Sequence, residues 1–255
     1  MNQIQINVKN LTIGYGDKII IKNAYFSVQK GDRFIIMGGS GCGKSTMLKV
    51  LTGLMPPIKG EFFIDGINYI NASDEQKLAL MKKTGVLYQS GGLFSSMTLA
   101  ENVALPLQKY SSYSQKTITE LVSLKLALVG LDGYNNYYPS EISGGMKKRA
   151  GLARALALDP QIVYFDEPSA GLDPISAARL DELMIDINQN LGTTLVLVTH
   201  ELSSIFSVGT NSIFLDATSK TIQAKGKPAD LLNNPPNESV FKFLTRGKGY
   251  EKGTK

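Results

Sequence analysis

The sequence predicts an α/β fold interrupted by a helical segment, and three observations carry that reading. An apolar run of buried-strand type, Arg33–Met37, meets a glycine-rich loop and then apolar residues at helical spacing in Met47–Leu51. A second apolar run, Ile162–Phe165, ends on Asp166-Glu167 and leads to a long helix opened by Asp173-Pro174. Between them, residues 90 to 140 read as helices and a tyrosine-rich loop, after which the strand–helix alternation resumes.

Composition sets the outer bounds. The chain has 255 residues, 43% of them apolar and 19% charged, which is enough for one substantial core with subdomains. No apolar run approaches the roughly 18 residues that a membrane span needs. The start, Met-Asn-Gln-Ile-Gln-Ile, lacks the charged and apolar regions of a signal peptide, so a cytosolic location is expected. The net charge of +5 reads either as a solvated exterior or as an attraction to anionic membrane surfaces, and outside the Lys-rich C-terminal tail it is not confined to one block. The single cysteine, Cys42, excludes an internal disulfide framework. Its place in the glycine-rich loop suits a small tolerated side chain better than a redox switch.

The first elements are strands: Ile4–Val8, a stretch around Leu11–Ile13, Ile19–Val28 and Arg33–Met37. Turns are expected at Asn10, at Gly14-Tyr15-Gly16 and at Lys30-Gly31-Asp32. The helix from Lys44 ends near Gly53, because Pro56-Pro57 forbids its continuation. Glu61–Ile64 and Ile67–Ile70 form a hairpin across Asp65-Gly66. Ser73 with Gln76 makes a capping box that opens a helix. Gly85–Tyr88 is a strand ending at Gln89.

Thr98 with Glu101 makes a second capping box, opening a helix that Pro106 interrupts or kinks. A longer helix covers about Ser114 to Val129, with apolar residues from Ile118 to Leu128. Ser143-Gly144-Gly145 opens a helix from Met146 to Leu158, stopped by Pro160. The helix from Pro174 runs to about Leu191. Thr193–Thr199 is a strand ending at His200. A hairpin, Ser212–Asp216 with Thr221–Ala224, and two short helices close the chain. Val240–Arg246 is apolar on one side, which fits a docking segment or an ordinary packed helix. Residues 1–247 are thus read as one domain with a helical subdomain at about 90–158, and residues 248–255, rich in Gly and Lys, as a disordered tail.

The chemistry centres on Gly38-Gly39-Ser40-Gly41-Cys42-Gly43-Lys44-Ser45-Thr46, which fits G-x-x-x-x-G-K-[ST] between a strand and a helix. A chance match somewhere in a chain of this length has a probability of roughly 1%. The glycines let the loop curl so that backbone N–H groups face an anion, and the helix points its positive end at the same place. Lys44 suits the β- and γ-phosphates, the Ser45 hydroxyl suits Mg²⁺, and Thr46 reaches the α-phosphate. Asp166 and Glu167 stand at a strand's carboxyl end, where ligands of α/β sheets bind. Asp166 suits the Mg²⁺ shell, and Glu167 can polarise a water for attack on the γ-phosphate. His200, the only histidine, also ends a strand, as does Gln89, which can touch both Mg²⁺ and the attacking water. Spacing alone leaves His200 open to a structural role. Tyr15 can stack on a purine face or simply pack in its loop.

At Ile142-Ser143-Gly144-Gly145-Met146 the order of motifs becomes specific. Phosphate loop, Gln89, Ser-Gly-Gly, Asp166-Glu167, Asp173 and His200 together resemble the nucleotide-binding subunit of ABC transporters over about residues 4 to 230. The resemblance implies a P-loop NTPase fold with a RecA-like core, an antiparallel β-subdomain and a helical subdomain. It implies that Tyr15 stacks on adenine, Gly38–Thr46 is the Walker A loop, and Gln89 is the Q-loop glutamine. Ser143, Gly144 and Gly145 are then the signature, Asp166 and Glu167 the Walker B pair with Glu167 the general base, Asp173 the D-loop aspartate and His200 the switch histidine. The signature departs from the usual Leu-Ser-Gly-Gly-Gln in reading Ile-Ser-Gly-Gly-Met. The hydroxyl and helix-start amides are kept, and only the contribution of a glutamine at 146 is in question.

The family pattern implies two chains that sandwich two ATP, the Ser143–Gly145 segment of one facing the Lys44 loop of the other. ATP closes this homodimer, hydrolysis at Glu167 lets it open, and Ser90–Leu107 transmits the motion to a separate integral-membrane permease. The expected cofactors are ATP and Mg²⁺, and the expected place is the cytoplasmic face of the cell membrane, held by the permease. Tyr88–Phe94, Thr98–Leu107, Ser143–Ala150 and Ser169–Ser176 further resemble the ATPases of MCE-type (mammalian cell entry, lipid-asymmetry) transporters. That implies phospholipid or other hydrophobic cargo and a periplasmic MCE-domain lipid-binding partner. The alternatives are a different cargo such as amino acids or metal ions, a non-transport ABC ATPase, and a nucleotide-dependent binding subunit with negligible turnover. One nucleotide domain and no sustained heptads speak against the ribosomal and DNA-acting kinds, and no nucleic-acid partner is expected.

Overall fold

The structure, a computed structural model, describes residues 3–247, so the tail expected to be disordered at 248–255 lies outside the described residues. The chain falls into two units, one formed by the chain up to Ala72 together with the chain from Leu197 on, the other by Ser73–Val196.

In the first unit, β1 (Ile4–Tyr15) and β2 (Lys18–Gln29) form an antiparallel hairpin. Ile6, Val8, Leu11 and Ile13 are all buried although Val8 and Leu11 are three apart, which breaks the period-two rule. A bulge reconciles them: the pairing register shifts between Val8 and Leu11, and Asn10 takes φ 49°. Asn10, expected as a turn between two strands, is therefore a bulge inside one continuous strand. Asparagine is among the few non-glycine residues that adopt this conformation readily. β3 (Arg33–Gly38) is fully apolar after its first residue and leads into α1 (Lys44–Leu51). β4 (Lys59–Ile64) and β5 (Ile67–Asn68) follow, joined by Asp65 at φ 48° and Gly66 at φ 79°, the left-handed pair of a hairpin turn. The antiparallel sheet has the order β2-β1-β4-β5.

In the second unit, α2 (Asp74–Lys82) begins with the expected capping box: the Gln76 N–H donates to Ser73 Oγ at 3.2 Å and the Ser73 N–H to Gln76 Oε1 at 3.0 Å. β6 (Thr84–Leu87) precedes α3 (Leu99–Tyr110), which carries the same box at Thr98 and Glu101. Pro106 does not interrupt α3. A missing N–H forfeits one helical bond, and the cap together with burial of Leu99, Val103 and Leu107 outweighs it. α4 (Gln115–Leu128), a single 3-10 turn at Pro139–Glu141, and α5 (Gly144–Ala155) follow. α5 stops three residues before the expected Leu158. β7 (Ile162–Asp166) runs parallel to β6, and α6 (Pro174–Leu191) begins on Asp173 and ends at Gly192 in the left-handed conformation.

Asn102 organises the start of this helical stretch. It is wholly buried in α3, and its amide nitrogen donates to the carbonyls of Phe94, Met97 and Thr98 at 3.1, 3.1 and 2.9 Å. Its oxygen accepts the Phe94 N–H at 2.8 Å. Replacing Asn102 with alanine removes the donor to all three carbonyls and the acceptor of the Phe94 N–H, while Phe94 O and Thr98 O keep the backbone donors of Met97 and residue 102, and we expect a loss of about 2–4 kcal/mol. Urea denaturation of the wild-type and variant chains measures it directly.

β8 (Thr194–Val198) carries the chain back to the first unit. α7 (Leu202–Val208) was not expected from the sequence, because it is short and has no side-chain cap to mark it. β9 (Asn211–Asp216) lies parallel to β3 and antiparallel to β10 (Thr221–Lys225). α8 (Pro228–Asn233) and α9 (Glu238–Leu244) close the described chain. The apolar side of α9 is consumed by its own fold: Val240 and Leu244 are buried and Phe243 packs its ring 5.2 Å from that of Phe214. Of the segment Val240–Arg246, residues up to Leu244 are thus part of a packed helix, and Thr245 and Arg246 lie beyond its end. Among the described residues no helix is long and apolar enough to cross a membrane.

Candidate functional site

The first unit supplies the phosphate loop. Two glycines are there because nothing larger fits: a Cβ on Gly38 would lie 2.3 Å from the Leu215 carbonyl oxygen, and one on Gly43 would lie 2.6 Å from Ile20 Cγ2. Gly39 and Gly41 face open space instead. Gly43 takes φ 102° and occupies the N-cap of α1 without any side-chain cap. By contrast α2, α3, α4, α5, α6 and α9 each receive a capping side chain. A glycine at this cap leaves the first-turn amides of α1 to whatever enters the loop. The Lys44 ammonium is buried and donates to the carbonyls of Gly38 and Gly39 at 3.0 and 3.1 Å. It thereby holds two successive carbonyls of the loop around a positive centre. Ser40 and Ser45 are exposed and Thr46 is partly so. Cys42 is buried, and burial pushes its thiol above the ordinary range. The cysteine is a neutral filler of the loop.

Two more expected residues belong to this unit. Tyr15 ends β1 opposite Lys18 and is half exposed, so its ring is open for stacking. His200 follows β8 with an exposed imidazole whose Nε2 lies 3.8 Å from Glu201 Oε1.

The second unit supplies the carboxylates and the signature. β7 ends at Asp166, and Glu167 follows with φ 48° and 9% exposure. A left-handed backbone at a glutamate costs about 1–2 kcal/mol. The turn it enters is closed by the Ala170 N–H, which donates to the Glu167 carbonyl at 3.2 Å. The same carbonyl accepts from the Lys148 ammonium at 3.2 Å, and Ala170 O accepts from it at 3.1 Å. Sequence reasoning missed Lys148, which lies in an ordinary run of basic residues on α5. Its burial could have been suspected only from its helical register.

Ser143 caps α5, its Oγ accepting the Met146 N–H at 3.3 Å. The cap uses the backbone of residue 146, so methionine there leaves the exposed Ser143-Gly144 start of the helix intact. Asp173 caps α6 by accepting the N–H groups of Ile175 and Ser176 at 3.1 and 3.0 Å. Hydrogen bonds from the Ser176 side chain and backbone hold its carboxyl below the usual range. Gln89 is exposed just beyond β6, and the turn after it rests on α5: a Cβ on Gly151 would meet Gly91 O at 2.4 Å. Residues after Gln89, the Ser143 cap and the Glu167 turn are in this way all referred to one helix.

Sequence and structure comparisons bear on what these parts are. The family described as "ABC transporter" matches residues 21–170. The probable ribonucleotide transport ATP-binding protein mkl of Mycobacterium tuberculosis is 43% identical over 82% of this chain and 58% of its own length. This chain thus spans under two thirds of the length of the mkl relatives it matches. The intermembrane phospholipid transport system ATP-binding protein MlaF is 40% identical in Haemophilus influenzae, covering 96% of this chain and 91% of that one. The Escherichia coli K12 protein of the same name is 36% identical over 94% of this chain and 88% of that one. Among solved structures, the dimeric ATP-binding cassette MJ0796 bound to ADP and Pi has a TM-score of 0.78 and 30% identity, covering 87% of this chain and 98% of that chain. The cbiO1 structure from Clostridium perfringens, at 22% identity and TM-score 0.80 over 94% of this chain and 98% of that chain, shares the fold. With the family match and the MlaF relatives added to the phosphate loop and the Ser-Gly-Gly helix start, the chain belongs to the ABC transporter family.

Proposed function

We propose that this chain is the ATP-hydrolysing motor subunit of an ABC transporter, carrying phospholipid or other hydrophobic cargo through a separate membrane permease. The observation that supports it most is the phosphate loop: an uncapped helix start, two glycines that open onto free space, and a buried lysine at the loop's centre. In this reading Gly38–Thr46 hold the phosphates of ATP through backbone N–H groups and Lys44, and Tyr15 stacks on the adenine. Glu167 accepts the proton of the attacking water, and His200 contacts the γ-phosphate. Ser143, Gly144 and Gly145 present the start of α5 to the nucleotide held by a second copy, and Asp173 lies beside that junction.

The donors proposed for Mg²⁺, the Ser45 hydroxyl, the Gln89 amide oxygen and the Asp166 carboxylate, are all hard oxygens and fit that ion. Bound Mg²⁺ would neutralise charge on the phosphates.

The cargo reading follows the MlaF relatives, whose names state intermembrane phospholipid transport. It places the chain as a peripheral homodimer on the cytoplasmic face of the membrane, with a permease and a periplasmic MCE-domain protein in the same system. Pull-down of tagged Glu167→Gln protein with ATP in mild detergent tests it, with mass spectrometry of partners and extraction of lipid. Recovery of a permease, an MCE-domain protein and phospholipid is expected. Recovery with a solute-binding protein for another cargo would overturn the lipid reading, and recovery of ribosomes or DNA would overturn the transporter reading.

A further inference from the structure

Lys148 is a charged residue that the proposed hydrolysis does not use. It is 5% exposed, on the side of α5 away from solvent. Its ammonium donates to two backbone carbonyls, Glu167 O at 3.2 Å and Ala170 O at 3.1 Å. Burial disfavours its charge, and the nearby carboxylates of Glu167 and Asp166 favour it. An ammonium is costly to bury without such partners.

The two carbonyls are the ends of one turn. Glu167 enters it at φ 48°, and the Ala170 N–H closes it. Among the residues from Glu167 to Ala170, Ser169 is buried as well. The backbone fixes the direction of the Cα–Cβ bond and restricts the rotamers available, so whatever holds the Glu167 peptide sets where its side chain starts and which positions its carboxylate can reach. Lys148 holds that peptide from outside the turn. It does so from α5, a helix of 12 residues whose first turn is capped by Ser143. One side chain therefore joins the Ser-Gly-Gly helix to the turn that carries the proposed base.

We propose that Lys148 is a positioning residue: by gripping the Glu167 and Ala170 carbonyls it aims the Glu167 carboxylate and ties that aim to the helix opened by Ser143. The inference rests on Glu167 acting as the base. It separates the effect of Lys148 on turnover from any effect on nucleotide affinity, because Lys148 touches the base's turn and the phosphate loop belongs to other residues.

Steady-state hydrolysis and ATP binding by the full chain in its transporter complex test it with Lys148→Met, Lys148→Arg and Lys148→Gln. Lys148→Met keeps the length and removes every donor. Its kcat is expected to fall about 10- to 100-fold, the range that small misplacement of a catalytic group produces. KM for ATP and the binding affinity are expected to stay within about twofold. Lys148→Arg and Lys148→Gln keep N–H donors and are expected to recover most of the turnover. If Lys148→Met does not fold, Lys148→Ala replaces it, since the smaller side chain admits water to the two carbonyls.

Unchanged kcat in a folded donor-free variant would overturn the proposal. So would a loss shared equally by kcat and affinity that neither arginine nor glutamine recovers, since that is the mark of a merely structural residue. Glu167→Gln, measured alongside, separates the two claims. If it turns over like wild type, the base assignment fails. If it is inactive while Lys148→Met is not slowed, only the role of Lys148 fails.

Discussion

Glu167→Gln is expected to bind ATP as the wild-type chain does and to lose about 10²–10⁴-fold in turnover, the range contributed by a positioned general base. The substitution preserves size and leaves the backbone bonds at Glu167 O, from Ala170 N–H and Lys148, in place. It removes the capacity to accept a proton together with the negative charge that faces Lys148. Because hydrolysis would be what opens the ATP-closed dimer, the variant is also expected to accumulate as a dimer when ATP is present. Steady-state phosphate release and light scattering with and without ATP measure the two effects. Wild-type turnover in this variant would mean that another group takes the proton.

Lys44→Ala is expected to lower turnover at saturating ATP by about 10²–10³-fold, the cost of removing one preorganised charge-stabilising donor, or to abolish measurable ATP binding. The ammonium is already buried and bonded to Gly38 O and Gly39 O. It is therefore in place before a phosphate arrives. Its loss removes a positive charge from the centre of the loop and one donor each from Gly38 O and Gly39 O, of which Gly39 O keeps the Cys42 N–H. Titration with a fluorescent ATP analogue distinguishes lost affinity from lost turnover. A Lys44→Ala chain that binds and hydrolyses ATP like wild type would remove the phosphate loop from the account.

Much of this was legible in the sequence because the relevant signals are local. The capping boxes at Ser73-Gln76 and Thr98-Glu101 involve groups three residues apart, and both form as read. The turn at Asp65-Gly66 and the cap at Asp173 are of the same kind. The phosphate loop announces itself because glycine, lysine and serine must follow one another along the chain. What stayed hidden depends on partners far away in sequence. Asn10 reads as a turn residue until its strand is seen to pair on both sides, which turns it into a bulge. Pro106 reads as a breaker until the burial of its helix is counted. Lys148 looks like one basic residue among three, and only its 19-residue reach to Glu167 O distinguishes it. Gly151 gives no local sign that the Gly91 carbonyl lies against it.

The family order of motifs told more than any single motif could, since it gave Gln89, Ser143 and His200 roles that their spacing left open. In the proposed dimer each nucleotide is shared between the Lys44 loop of one chain and the Ser143 helix of another. The most direct measurement is hydrolysis by chains co-expressed as a mixture of Lys44→Ala and Ser143→Arg, each inactive alone. Recovered activity is expected, because a mixed dimer holds one site with an intact loop from one chain and an intact signature from the other. A mixture no more active than its two components would contradict a shared site.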